Sequence, residues 1–119
     1  MSREEIPPVL REQLARYDQL QQNLQAILIQ KQQVELELAE IEKALGELNK
    51  ITSEDTVYKS AGSLLVKVKR DDMLKELLER KELDNTRSLV LAKQESRVRE
   101  SVKELQSKIE DYTRKPQAQ

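Results

Sequence analysis

Cysteine, histidine, phenylalanine and tryptophan are all missing from this chain of 119 residues. Each absence excludes something. Without cysteine there is no disulfide framework, which fits a reducing, cytoplasmic setting. Without cysteine and histidine, metal binding and nucleophilic catalysis lose their commonest side chains. Aromatics are 3% of the residues, Tyr17, Tyr58 and Tyr112 alone, and a compact globular core of this size normally uses more. Glycine occurs twice and proline three times, so turn residues are few. No run approaches the roughly 18 apolar residues of a membrane span. The opening Met1-Ser-Arg-Glu-Glu lacks the apolar core of a signal peptide. The formal charge of -1 draws the chain neither to nucleic acid nor to an anionic membrane.

What is abundant is glutamate, lysine, leucine, glutamine and arginine, the composition of long helices or a coiled coil. Ile6-Pro7-Pro8 holds off helix to that point and permits one to begin there. With Leu10 as position a, that series is Leu10, Tyr17, Leu24, Lys31, Leu38 and Leu45. The d series is Gln13, Leu20, Ile27, Val34, Ile41 and Leu48. Ten of these twelve positions are apolar or tyrosine, which is a coiled-coil seam. Gly46, Asn49 and Thr52-Ser53-Glu54-Asp55 mark the exit, so helix 1 is expected over about residues 8–49.

A second seam follows. Its series are Leu74, Lys81, Ser88, Glu95, Val102, Ile109 and Leu77, Asp84, Leu91, Val98, Leu105, Tyr112, of which eight of twelve are apolar or tyrosine. The polar members cluster between 81 and 95, while Leu78, Leu83, Leu89 and Val90 fall off the seam. The middle of this helix is therefore expected to shift phase or to touch another partner. Asp71 and Asp72 are candidate N-caps, and Pro116 stops the helix, giving a span of about 72–114. Glu76/Arg80, Glu95/Arg99 and Glu104/Lys108 are spaced to pair along it.

Between the seams, residues 56–69 differ in kind. Val66-Lys67-Val68-Lys69 alternates with period two, as a strand does. Ala61-Gly62 lies where a hairpin turn is needed, and a two-residue turn or a three-residue loop with a bulge both fit. A two-residue turn there sets Val57 against Val66 and Tyr58 against Leu65. One face then carries Val57, Leu64, Val66 and Val68, and the other Tyr58 and Leu65. A lone two-stranded hairpin is marginal in water. With no other strand in the chain, the missing strands must come from other subunits. Folding the chain about residue 61, so that paired numbers sum to 122, brings Leu45 to Leu77 and Leu24 to Val98. The expected architecture is thus mainly α: one domain over 1–119, a long antiparallel coiled coil with one β-hairpin between its helices.

This layout resembles a prefoldin subunit of the β class. The local match is Tyr58-Lys59-Ser60-Ala61-Gly62-Ser63-Leu64-Leu65-Val66-Lys67, similar to the "Y-K-x-x-G-x-x-[LI]-V-K" hairpin of archaeal β subunits. Ile6-Pro7-Pro8 and the glutamine-rich first helix are also typical. The α class carries two hairpins, and Asn49 to Asp72 accommodates one. The resemblance implies a hetero-hexamer of two α-type and four β-type subunits whose hairpins join into intersubunit β-barrels. It further implies ATP-independent binding of unfolded proteins, which are passed to a group II chaperonin, with no cofactor.

On that footing the candidate client-binding residues are Ile6, Val9, Leu10, Leu14, Ile109 and Tyr112, where two helices alone leave apolar surface open. Ordinary seam packing accounts for Leu10, Leu14 and Ile109 as well. The candidate oligomer interface is Val57, Tyr58, Leu64, Leu65, Val66 and Val68. Ile29 and Leu36 read equally as a client stripe or as scattered exposed apolars. Lys31 reads as a snorkelling lysine or as a register-setting group near Glu95. Glu35/Glu37 and Asp71/Asp72 read as solvated face and helix cap, since a catalytic pair needs a pocket. No catalytic or metal-binding residue is expected, and no phosphate-binding glycine motif is present. Lys93, Arg97, Arg99, Lys103 and Lys108 alternate with glutamates, which favours a solvated face over a nucleic-acid patch. The alternative functions are a coiled-coil tether, which needs no hairpin, and a nucleic-acid-binding helical arm, whose binding would be steeply salt-dependent.

Overall fold

A computed structural model describes residues 6–114. Four elements follow in order: α1 (Pro8–Leu48), β1 (Thr56–Ala61), β2 (Leu64–Lys69) and α2 (Arg70–Arg114). The described residues divide into two compact units, one of residues 31–90 and one of residues 6–30 with 91–114.

The unit of residues 31–90 holds the hairpin. Ile41, Leu45, Leu48 and Leu77 are buried together, with Ala44, Ile51, Val57, Met73 and Leu74 packed against them. Leu45 and Leu77, the pair that sums to 122, thus share one cluster. Between the helices Arg80 reaches Glu37 at 3.2 Å, and Lys81 pairs with Glu42. α1 ends by tightening: Lys50 N donates to Glu47 O at 3.1 Å and Ile51 N to Leu48 O at 3.4 Å. The chain then turns at Thr52, whose backbone N donates to Asp55 Oδ2 at 2.8 Å while Asp55 N donates to Thr52 O at 3.1 Å.

α2 begins at Arg70, directly where β2 ends, and not at a cap two residues later. Asp71 and Asp72 lie inside its first turn, where carboxylates favour the positive end of the helix dipole. The expected helical pair Glu76/Arg80 gives way to longer-range partners. Glu76 is taken by Lys59 and Arg80 by Glu37. Glu95 and Arg99 do meet, at 2.7 Å.

No phase shift occurs in the first part of α2. Leu77 and Asp84, seven residues apart, are both buried, and Lys81 and Ser88 are half-buried between and beyond them. Leu78, Leu83, Leu89 and Val90 face outward. Polar groups therefore occupy the seam while large apolar groups stand in water. Asp84 is only 2% exposed, and Val34 of the same unit 1%. Its Oδ1 meets Arg87 Nη1 at 3.4 Å, and Oδ2 has no hydrogen-bond partner among the described residues.

In the unit of residues 6–30 with 91–114, Leu24, Leu91 and Leu105 are buried. Leu10, Tyr17, Leu20, Ile27, Val98, Val102 and Ile109 are half-buried, as expected when each apolar stripe has one partner helix. α1 opens with Arg11 N donating to Pro7 O at 2.9 Å, and Arg11 Nη2 donates to Ile6 O at 3.0 Å. Proline in the first turn costs nothing there, because its missing N–H would have had no partner. Gln13 is half-buried, and its buried Oε1 has no hydrogen-bond partner among the described residues. Pro116, the expected helix stop, lies outside the described residues.

A half-satisfied carboxylate in an apolar seam destabilises the fold, and replacing such a group by a fitting apolar one often stabilises by about 1–4 kcal/mol. Asp84→Leu should raise the urea midpoint of unfolding, followed by circular dichroism, with helix content unchanged. A lower midpoint would mean that Asp84 Oδ2 has a stabilising partner.

Candidate interaction surfaces

The hairpin is positioned by its turn and by two side-chain ties. Ala61 pairs with Leu64, so the loop is Gly62-Ser63. Gly62 has φ +61°, and no other described residue has positive φ. Positive φ at the first loop position alone is the type II′ arrangement, whose twist matches that of the strands and which favours glycine there. The register runs Thr56↔Lys69, Val57↔Val68, Tyr58↔Lys67, Lys59↔Val66, Ser60↔Leu65. This corrects the expected opposition of Val57 with Val66 and Tyr58 with Leu65. The turn sits one residue later than Ala61-Gly62, which moves every partner by two. A two-residue shift preserves parity, so each side chain stays on its expected face.

Lys59 bonds to Glu76 of α2 from the face that also carries Val57 and Val68. At the hairpin base, Arg70 Nε donates to Leu48 O at 3.0 Å, and Nη1 reaches Asp71 Oδ1 at 2.9 Å. A guanidinium can serve both acceptors because its donors are fixed in a planar fork. Arg70 thereby caps the carboxyl end of α1 from the start of α2. Neither tie is signalled by local sequence spacing. Lys59 and Glu76 are seventeen positions apart, and Arg70 and Leu48 twenty-two, so nothing local signals them.

The six candidate interface residues divide by position along the hairpin. Val57 and Val68, at its base, are half-buried, and Val57 joins the helical core. Towards the turn, Tyr58 is 63%, Leu64 67%, Leu65 73% and Val66 43% exposed. Four apolar side chains in so short a stretch, on both faces of a two-stranded sheet, form a surface that single exposed apolars do not.

The six candidate client residues all fall in the unit of residues 6–30 with 91–114. Ile6, Leu10 and Ile109 are half-buried, whereas Val9, Leu14 and Tyr112 are exposed. They lie beyond the buried Leu24 and Leu105, on the segments nearest the described ends of both helices. Ile29 and Leu36 are exposed, and Lys31 is half-buried. Among the described residues, no cluster of acids could hold a metal ion, and no helix is long and apolar enough to cross a membrane.

Known proteins bear on these surfaces. The family model for a prefoldin subunit matches residues 11–115. The prefoldin subunit beta of Pyrobaculum islandicum is 46% identical over 105 residues, covering 88% of this chain and 84% of that protein. That of Archaeoglobus fulgidus is 44% identical over 114 residues, covering 96% and 97%. The crystal structure of the prefoldin beta subunit from Thermococcus strain KS-1 superposes with a TM-score of 0.82 at 38% identity, covering 94% of this chain and 98% of that one.

The turn geometry yields a direct check. A Cβ at position 62 meets nothing within 4 Å, so Gly62→Ala adds no clash and isolates the backbone cost. The first position of a II′ turn combines positive φ with the mirror-β ψ that glycine alone reaches freely, and holding an L-residue there costs about 1–3 kcal/mol. The substitution should lower the stability of strands β1 and β2 by that amount, read as faster amide exchange at residues 57–68 with α1 and α2 unaffected. Unchanged exchange would contradict the assigned turn.

Proposed function

The chain belongs to the prefoldin family of chaperones, and from that premise we propose that it is a β-type subunit of a hetero-hexameric, ATP-independent holdase. Four such chains join two α-type subunits through their hairpins, which close into shared barrels. The observation that carries this reading is the pair of apolar hairpin faces at Tyr58, Leu64, Leu65 and Val66. A two-stranded sheet with such faces is stable when further strands cover them. Prefoldin subunits assemble with one another, and the hairpin is the part of this chain that requires it.

Client capture falls to Ile6, Val9, Leu10, Leu14, Ile109 and Tyr112. Burying one side chain of leucine or isoleucine size contributes roughly 1.5–3 kcal/mol at best, so one chain alone holds a client weakly. Several chains of one hexamer engaging together raise the avidity while each contact stays reversible. Release then requires competition by a group II chaperonin, and no nucleotide. The setting is the cytoplasm, where newly made chains expose apolar segments.

Two variants separate assembly from capture. Val66→Asp places a charge among apolar side chains in the barrel, where an unpaired charge is costly. It should release subunits while the helices persist. If light scattering gives the wild-type mass for this variant, the interface is elsewhere. Deleting residues 1–9 and 110–119, part of which lies outside the described residues, should leave the hexamer intact. It should abolish suppression of aggregation of a client diluted from denaturant, without nucleotide in either case. A truncated hexamer that protects as well as the full one would move the client site onto the helices, to residues such as Ile29 and Leu36.

A further inference from the structure

The two outer edges of the hairpin differ in charge. Across the Gly62-Ser63 turn, Ala61 and Leu64 form the hydrogen-bonded pair next to the loop. In an antiparallel ladder such pairs alternate with pairs that do not bond to each other. Lys59/Val66 and Val57/Val68 therefore bond inward. The backbone groups of Thr56, Tyr58 and Ser60 point out from β1, and those of Leu65, Lys67 and Lys69 point out from β2. The side chains of these six residues share one face.

The edge residues of β1 are uncharged. That of β2 presents Lys67 and Lys69, both exposed, and no ion pair among the described residues uses either. Lys59, on the opposite face, is held by Glu76. Glu54, Asp55 and Asp71 share a groove with Lys67 and Lys69. Two of these acids are already engaged, Asp55 with Thr52 and Asp71 with Arg70.

Lysines on an open edge repel a strand of like charge, and opposite charges facing each other across strands stabilise the pairing. We propose that the outer edge of β2 accepts, by strand addition, an edge strand of a different subunit bearing carboxylates opposite Lys67 and Lys69. A second copy of this chain does not meet that need. Its own β2 would oppose lysines to the same cationic edge, and its β1, Thr56–Ala61, contains no acid. The proposal rests on hairpin-mediated assembly and adds the chemistry of the partner strand, making β2 the edge that distinguishes a foreign subunit from self.

The test titrates this chain with the α-type prefoldin subunit of the same cells, at low and at high salt, by sedimentation. Wild-type affinity should fall as salt rises, because exposed pairs are screened. Lys67→Ser with Lys69→Ser should weaken binding about fivefold and flatten the salt dependence, and Lys67→Glu with Lys69→Glu should weaken it about thirtyfold. Equal affinity and equal salt dependence for wild type and both double variants would overturn the proposal. Tighter binding by the glutamate variant would overturn it too, since the partner edge would then be basic. Val66→Asp keeps the two readings apart. If it dissociates the complex while the lysine variants bind as wild type, the edge assignment alone has failed. If it binds as wild type, assembly through the hairpin has failed.

Discussion

Ile41, Leu45, Leu48 and Leu77 form the contact on which the rest of the hairpin-bearing unit depends. Each of these side chains, fully buried, contributes roughly 1.5–3 kcal/mol relative to exposure. The cluster also collects Ile51 from the loop, Val57 from the sheet, and Met73 and Leu74 from the first turn of α2. It is therefore a junction of helix, loop, strand and helix. A two-stranded sheet alone is marginal. Here its base is bolted to a helical core by Val57 and by the Lys59–Glu76 bond. That support fixes the base of the hairpin, while the turn end carries exposed apolar side chains on both faces.

The parts legible in the sequence are those set by periodic apolar spacing. The two helices, the hairpin between them and the division of side chains between its faces all follow from periods of about 3.5 and 2. The turn falls one residue later than the Ala61-Gly62 pair suggests. Among the described residues only Gly62 takes positive φ, and that fact, with the II′ preference for glycine first, is what places the loop. The polar stretch of α2 reads as a break because counting apolar residues scores Asp84 as an outsider. Leu77 is buried one heptad before it and holds the phase, so Asp84 is carried inward by geometry regardless of its polarity. The ties of Arg70 and Lys59 depend on backbone closeness created by the fold. Among the candidate client residues seam spacing and exposure part company: Val9, Leu14 and Tyr112 are exposed, while Ile6, Leu10 and Ile109 are half-buried.

The described part of α2 places stability second to something else over residues 78–90. Asp84 occupies a site that a leucine would fill, while Leu78, Leu83, Leu89 and Val90 stand outside. Leu78 and Leu83 stand among the charges of Glu79, Arg80, Glu82 and Arg87, and interspersed charge opposes self-association.

β2 passes into α2 between Lys69 and Arg70 with no intervening residue, whereas seven residues, 49–55, separate α1 from β1. The two joints are mechanically unequal. A strand continuous with a helix transmits torque, because no loop dihedrals lie between them to absorb it. A looped joint dissipates it. Whatever engages the hairpin is therefore felt first at the start of α2, and the end of α1 follows through the side chains it shares there and through the guanidinium of Arg70 on its last carbonyl. Within the hairpin-bearing unit one joint steers and the other trails, although the helices they serve are nearly equal in length.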